Sequence, residues 1–339
     1  MAMQELTRKL GAIFRRDRPP DPVSYGESIA GALEALENES PTRRPADDSG
    51  KPGGLVLLDP GLPTIVVPDL HARMDFLLAV LGHEMNGCKV LDLLEEGKVQ
   101  VVCLGDGVHA EGRAARRWLA AQEEFLEDFT SHDNMDAEMR ESLGVMEMVM
   151  EVKRAYPSRF HFLKGNHENI TNESGSGNLP FRKFALEGMM VLAYMRQFYG
   201  SLVLAQYSRM EKDLPLLAVG PGFLLSHAEP AEFFPPRRII GYRSDPEVVA
   251  GLTWTDNDEA EEGSVESMLR YYLGEGAAQT GFYLGGHRPA VGSYRLRAGG
   301  RYVQIHDPER FVIAQLPAEG PIVLARDIVQ LDARSMLAV

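Results

Sequence analysis

Short apolar runs recur along this chain, and several of them are followed within three residues by Asp, His or Asn. The runs are Thr64–Val67, Gln100–Leu104, Phe160–Leu163, Leu216–Val219, Gly222–Leu225, Phe282–Leu284, Tyr302–Ile305 and Phe311–Leu316. Runs this short and this uniformly apolar fit strands buried on both faces, because a half-exposed strand would alternate apolar with polar residues. Helical spacing between them predicts helices over Met74–Leu81, Arg113–Asp128, Ala137–Ala155, Phe181–Tyr199 and Ser264–Leu273. The combination predicts an α/β fold: two packed mixed β-sheets flanked by helices. Met139, Leu143, Met146 and Met150 form a stripe at helical spacing that reads as core.

The first residues read differently. A short helix fits Met3–Phe14, and the stretch Asn38–Gly54 is so rich in Pro, Gly, Ser and charge that it reads as a mobile linker. Residues 1–54 are therefore expected to be an arm and linker, and residues 55–339 one domain with a helical insertion near 114–145. The net charge of −14 argues against a protein that grips a nucleic-acid backbone, since that binding rests on Lys and Arg displacing counterions. No apolar stretch reaches the ~18 residues of a membrane span, and no apolar segment of a signal peptide follows the basic start. Cys88 and Cys103 cannot make a disulfide framework, and Cys103 reads as a small buried hydrophobe. A reducing, cytoplasmic setting is the expectation.

What stands at the end of each run carries the chemistry. The first run leads to Asp69-Leu70-His71, the second to Gly105-Asp106, the third through Lys164 to Gly165-Asn166-His167-Glu168, and later runs to Ser226-His227 and Gly285-Gly286-His287. Ligands of open α/β sheets bind at the carboxyl ends of strands, so these residues point to one shared site. Carboxylates, imidazoles and one amide oxygen without a thiolate suit a pair of divalent ions of intermediate hardness, with manganese first and iron or zinc as alternatives. Asp106, alone at its strand end, is the natural bridging ligand. Two such ions acidify a water and clamp the oxygens of a phosphoryl displacement, which makes phosphoester hydrolysis the expected reaction.

At this point the residues resemble the calcineurin-like metallophosphoesterases, and most closely their phosphoprotein (Ser/Thr) phosphatase branch. The order Asp-x-His, Gly-Asp, Gly-Asn-His-Glu, His, Gly-His is similar to the superfamily's, the stretch Tyr156–Glu168 resembles one ending in LRGNHE, and Trp254-Thr255-Asp256 resembles a WSDP element. The likeness spans about Leu55 to Leu316. It implies an αββα sandwich, Asp69 and His71 on a first metal ion, Asp106 bridging, and Asn166, His227 and His287 on a second. It implies a metal-bridging hydroxide as nucleophile, His167 as the general acid, and Tyr294 lying over the site. Many relatives carry a second His two positions after His287, whereas here Pro289 stands there.

Other departures concern the substrate. The loop Gly105–Arg113 puts His109 where the branch has the Asp that orients the catalytic His, and Ala110 where it has a phosphate-clamping Arg. A shift of alignment would give these roles to Glu111 and Arg113, while Arg73 and Arg288 are further candidates to bind phosphate. The acidic run Asp256–Glu262 reads as a solvated loop. The resemblance thus implies a metal-dependent phosphomonoesterase acting on phosphorylated protein or a small phosphoester, without nucleic-acid or membrane partners. The alternatives are a nucleotide or dinucleoside-polyphosphate hydrolase on the same fold, and a weakly active scaffold.

Overall fold

A computed structural model describes residues 3–332, 336 and 337. The apolar runs form strands at the expected places, within a residue or two. One sheet has the order β13-β12-β2-β5-β6, built from Thr64–Val67 (β2), Gln100–Cys103 (β5), Phe160–Phe162 (β6), Val312–Leu316 (β12) and Ile328–Gln330 (β13). The other has the order β1-β7-β8-β9-β11-β10, built from Leu55–Leu57 (β1), Leu217–Gly220 (β7), Phe223–Leu225 (β8), Phe282–Gly285 (β9), Arg295–Arg297 (β10) and Tyr302–Gln304 (β11). A separate two-residue hairpin pairs Glu84–Met85 (β3) with Cys88–Lys89 (β4). The arrangement is that of two mixed sheets packed together between layers of helix.

Strand alternation builds those layers. Ile65 and Val67 of β2, and Val101 and Cys103 of β5, face the helical side. Val66 and Val102 face inward, where they meet Ala218, Leu225, Leu284 and Val303 of the second sheet. Leu224, Tyr283 and Tyr302 point outward from that sheet onto the helices Pro246–Thr253 and Ser264–Leu273. Both faces of the central strands are therefore dry, which is why those strands read as continuous apolar runs.

Strand direction brings the site together. β2, β5 and β6 are parallel to one another, as are β8, β9 and β11. Their carboxyl ends release loops that meet at one edge of the sandwich.

The amino-terminal segment is packed rather than loosely attached. Helix α1 (Met3–Arg15) buries Leu6, Leu10 and Ile13, and α2 (Pro22–Glu37) buries Tyr25, Ile29, Leu33 and Leu36, in the same core as the long helix Asp133–Ala155. Asp21 caps α2 by accepting the Val23 and Ser24 N–H groups, with Pro22 at the first helical position. The basic start pairs inward as well: Lys9 meets Glu151 at 2.6 Å and Arg16 meets Glu147 at 2.6 Å. The stretch expected to be a mobile linker is irregular but tied down. Glu39 contacts Arg44 at 2.6 Å, Lys153 at 2.5 Å and His161 at 3.4 Å, all of them buried.

The helix expected over Phe181–Tyr199 begins only at Glu187. The buried Glu187 carboxylate accepts the backbone N–H groups of Lys183, Phe184 and Ala185, at 2.9, 2.5 and 3.1 Å, and so holds residues 181–186 as a loop. That loop carries Phe181 and Lys183 to the site.

The Glu39 cluster yields a stability prediction. Burial opposes the charge on Glu39, but the Lys153 ammonium, the His161 imidazole 3.4 Å away and the Arg44 guanidinium hold its carboxyl well below the usual carboxylate range. A carboxyl so depressed stabilises the fold above its unfolded pKa of about 4.3, and the contribution drains away as pH falls toward the folded value. Glu39→Gln, which leaves Lys153 and Arg44 without their counter-charge, should cost about 3–5 kcal/mol at neutral pH. The deficit in denaturant unfolding should shrink below about pH 4. Equal loss at every pH would mean that the charge is immaterial.

Candidate metal centre

Strained loop residues form the floor of the site. His71, Asp106, His109 and His287 have φ values of 41°, 49°, 67° and 62°, in the left-handed region that side chains other than glycine rarely adopt. Several hydrogen bonds hold these loops. Glu168 accepts the N–H groups of Gly165, Asp106 and Gly107 at 2.6, 2.9 and 2.8 Å, which ties the β5 and β6 ends together. His71 N–H donates to the Asp106 carbonyl at 2.7 Å, and His287 N–H to both Asp69 carboxylate oxygens.

Of the glycines preceding the candidate ligands, Gly105 turns the chain with a φ of 111°, while Gly165 and Gly286 serve packing. A Cβ on Gly165 would overlap Asp106 Oδ1, and one on Gly286 would overlap Asp69 Oδ1. Each glycine leaves room for a carboxylate from the neighbouring strand end.

All six residues expected to hold metal lie together and buried, from 0% exposure for Asp69 and His227 to 9% for His287. Burial pushes the Asp69 carboxyl up to about 6 and raises that of Asp106 further. Burial also lowers the imidazoles, His71 to about 4 and His287 to about 3, with His227 well below its usual value. Neutral imidazoles have a free lone pair, and the hydrogen bonds fix where it points. His71 donates Nδ1–H to the His109 carbonyl (2.9 Å) and His227 donates Nδ1–H to the Leu104 carbonyl (3.1 Å).

Both Nε2 atoms are thus bare acceptors, and they face acceptors. His227 Nε2 lies 2.9 Å from Asn166 Oδ1 and 3.4 Å from Asp106 Oδ2, and His71 Nε2 lies 3.6 Å from Asp106 Oδ2. Asn166 Oδ1 also sits 3.0 Å from His287 Nδ1, whose other ring nitrogen is buried without a partner. Opposed lone pairs in a dry pocket repel unless a cation lies between them, so this donor set fits divalent metal. Among the described residues, three overlapping groups have this potential: Asp69-His71-His306, His71-Asp106-His167 and Asp69-Asp106-His227.

His167 stands beside this cluster, its backbone N–H bonded to Asp106 Oδ1 at 2.9 Å and its Nε2 3.8 Å from Asp106 Oδ2. Its Nδ1 lies 2.8 Å from His109 Nδ1, so the residue that meets it is the one found by simple alignment. Glu111 does not take that role. It turns instead to His306 (2.9 Å), Lys183 (3.3 Å) and His71 (3.7 Å).

The expected phosphate-binding residues separate. Arg113 lines a cleft of ≈ 900 Å³ that opens on His71 and Glu111, and contacts Glu141 at 2.7 Å. Arg73 is a buried strap: its guanidinium donates to the carbonyls of Asp69, Leu70 and Asp307, so it is committed to holding backbone. Arg288 makes two bonds to Asp256, and Tyr294 rests half-buried against the layer between the sheets. Residues passed over in the sequence are His306, Lys183 and Phe181, whose ring lies 3.7 Å from that of His167. Of these, only His306 stood at the end of an apolar run.

No protein-family model matches the chain, and no curated protein matches it by sequence. Among solved structures, a protein serine/threonine phosphatase from Saccharomyces cerevisiae, described as similar to human phosphatase PP5, superposes with a TM-score of 0.58 at 13% identity, over 98% of this chain and 96% of that one. A cold-active protein tyrosine phosphatase superposes with a TM-score of 0.46 at 13% identity, over 84% of this chain and 82% of that one. The yeast likeness is one of fold: this chain has the sandwich of a phosphatase structure.

Gly286→Ala tests the packing argument. The added methyl should displace Asp69, so any rise in melting temperature that Mn²⁺ gives the wild type should vanish in the variant. A ligand at 100 times its dissociation constant stabilises by about 2.7 kcal/mol, easily resolved by calorimetry. An undiminished Mn²⁺ shift in a cooperatively folded variant would refute the close-packing role.

Proposed function

We propose that this chain is a phosphomonoester hydrolase working with two divalent cations, and that its substrates are phosphoserine or phosphothreonine in proteins. One observation carries the reading: buried lone pairs of Asp69, His71, Asp106, Asn166 and His227 oppose one another with no donor between them. Asp69, His71 and Asp106 would hold one ion, and Asp106, Asn166, His227 and His287 the other. Manganese suits this set, with iron or zinc as alternatives. Such a pair supplies an activated water and Lewis acidity toward the attacking and leaving oxygens.

The chain's own residues position substrate and protons. With His109 Nδ1–H as the donor to His167 Nδ1, a neutral His167 would carry its proton on Nε2, placed to hydrogen-bond a departing oxygen, and full transfer of a proton to that oxygen would need the imidazolium form. A carboxylate partner would pull the proton to Nδ1 instead. Arg113 and Lys183, with side chains 41% and 45% exposed, line the cleft, where they pair with Glu141 and Glu111 and would bind a phosphate by exchanging those partners for it. The cleft is lined by Asp75, Glu111, Glu141 and Glu309 and equally by Arg73, Arg113, Arg140 and Lys183, so its charge does not by itself select a polyphosphate. Phe184 and Phe311 would give a phosphorylated side chain an apolar wall, which supports that substrate over a dinucleoside polyphosphate.

Purified protein with Mn²⁺ should hydrolyse para-nitrophenyl phosphate and phosphopeptides faster than dinucleoside polyphosphates. Asp106→Asn and His167→Ala should each lower kcat by roughly 10²-fold or more. Lys183→Ala should raise KM with a smaller effect on kcat. Full turnover by Asp106→Asn would end the metal-assisted mechanism. A metal-loaded protein inert on every substrate would point to the scaffold reading.

A further inference from the structure

His306 follows β11, which runs parallel beside β9 with Gln304 opposite Gly285. The turn after β11 therefore comes level with the turn that carries His287. His306 is fully buried. Its Nε2 lies 2.9 Å from Glu111 Oε2, while its Nδ1 has no hydrogen-bond partner and faces Asp69 Oδ2 at 3.8 Å.

That arrangement is the one in which a carboxylate prepares an imidazole for metal. In the neutral imidazole, Nε2–H donated to Glu111 leaves a bare lone pair on Nδ1, turned toward the carboxylate of Asp69. Across from it, the bare Nε2 of His71 lies 3.9 Å from Asp69 Oδ2 and 3.6 Å from Asp106 Oδ2. Ligand atoms of Asp69, His71 and His306 all fall within 4.8 Å of one another. Two ligands held about 2.1 Å from one ion are necessarily roughly 3–4 Å apart, the spacing found here.

We propose that His306, through Nδ1, is a ligand of the first metal ion beside Asp69, His71 and Asp106, and that Glu111 is the positioning residue that fixes its tautomer. The inference rests on the two-cation reading above. It supplies an imidazole from the neighbouring strand end, whereas the loop after His287 offers only the exposed Pro289. It also accounts for Glu111, which Lys183 contacts from the cleft side and which would thus link the phosphate-binding edge to the first ion.

The test uses the full chain, freed of metal by chelation and titrated with Mn²⁺. Bound metal is counted by elemental analysis and magnetic coupling is followed by electron paramagnetic resonance. The wild type should take up two ions with a coupled spectrum. His306→Gln should keep one tight ion, lose the other by tenfold or more in affinity, and give the spectrum of an isolated ion. Glu111→Gln, with the imidazole intact, should weaken the same ion about 10–100-fold. Crystals of the wild type soaked in Mn²⁺ need no variant to fold: an anomalous peak should lie within about 2.4 Å of His306 Nδ1. Two equally tight ions in His306→Gln, or a peak beyond hydrogen-bond distance from Nδ1, would overturn the inference while leaving the two-cation reading in place. A wild type that binds no ion would overturn both.

Discussion

Two carboxylates, Asp69 and Asp106, sit at 0% and 1% exposure beside His71 and His227, imidazoles that burial keeps neutral, and the surrounding loops have to accommodate that buried negative charge. In a dry interior an unpaired carboxylate is costly, so it must be protonated, bonded to N–H groups, or matched by a cation. The chain uses the second device in part: His287 N–H serves Asp69 and His167 N–H serves Asp106. The oxygens left over face bare nitrogens. Left-handed backbone at His71, Asp106 and His287 is the local strain that such convergence requires, and the rigid sandwich beneath supports it.

Support comes from behind the site as well. Glu168 gathers three N–H groups from two strand ends, and Gly165 and Gly286 let one loop lie against the carboxylate of the next. Glu187 shapes the loop that sets Phe181 against His167 and Lys183 against Glu111. None of these residues touches the space between the opposed lone pairs, yet each fixes a residue that does. The loops are thus over-determined, as strained positions must be if they are to persist.

Much of this was legible in sequence because it is local. A strand buried on both faces has to be apolar throughout, so β2, β5 and β6 announced themselves, and a polar side chain gathered at a strand end follows the run within a few residues. Asp69, Asp106, Asn166, His227 and His287 could be found in this way. Of the amino-terminal helices, α1 was expected over Met3–Phe14, but α2, which follows a proline-rich stretch and starts at Asp21-Pro22, was not. Its stability comes from Tyr25, Ile29 and Leu33 meeting a helix more than a hundred residues away. Arg44 and Glu39 look like linker residues until Lys153 and His161 are brought to them.

The sequence by itself determined the layered α/β architecture and the strand ends where chemistry gathers, since periodicity and strand length are properties of contiguous residues. Only the tertiary structure decided what each polar side chain faces. It committed Arg73 to backbone carbonyls and Arg288 to Asp256, turned Glu111 from His167 to His306, and brought Lys183 to the cleft. The reason is physical: a side chain's partner is set by the geometry of loops distant in sequence, and a pairing of charges or lone pairs across space leaves no periodic trace in the chain.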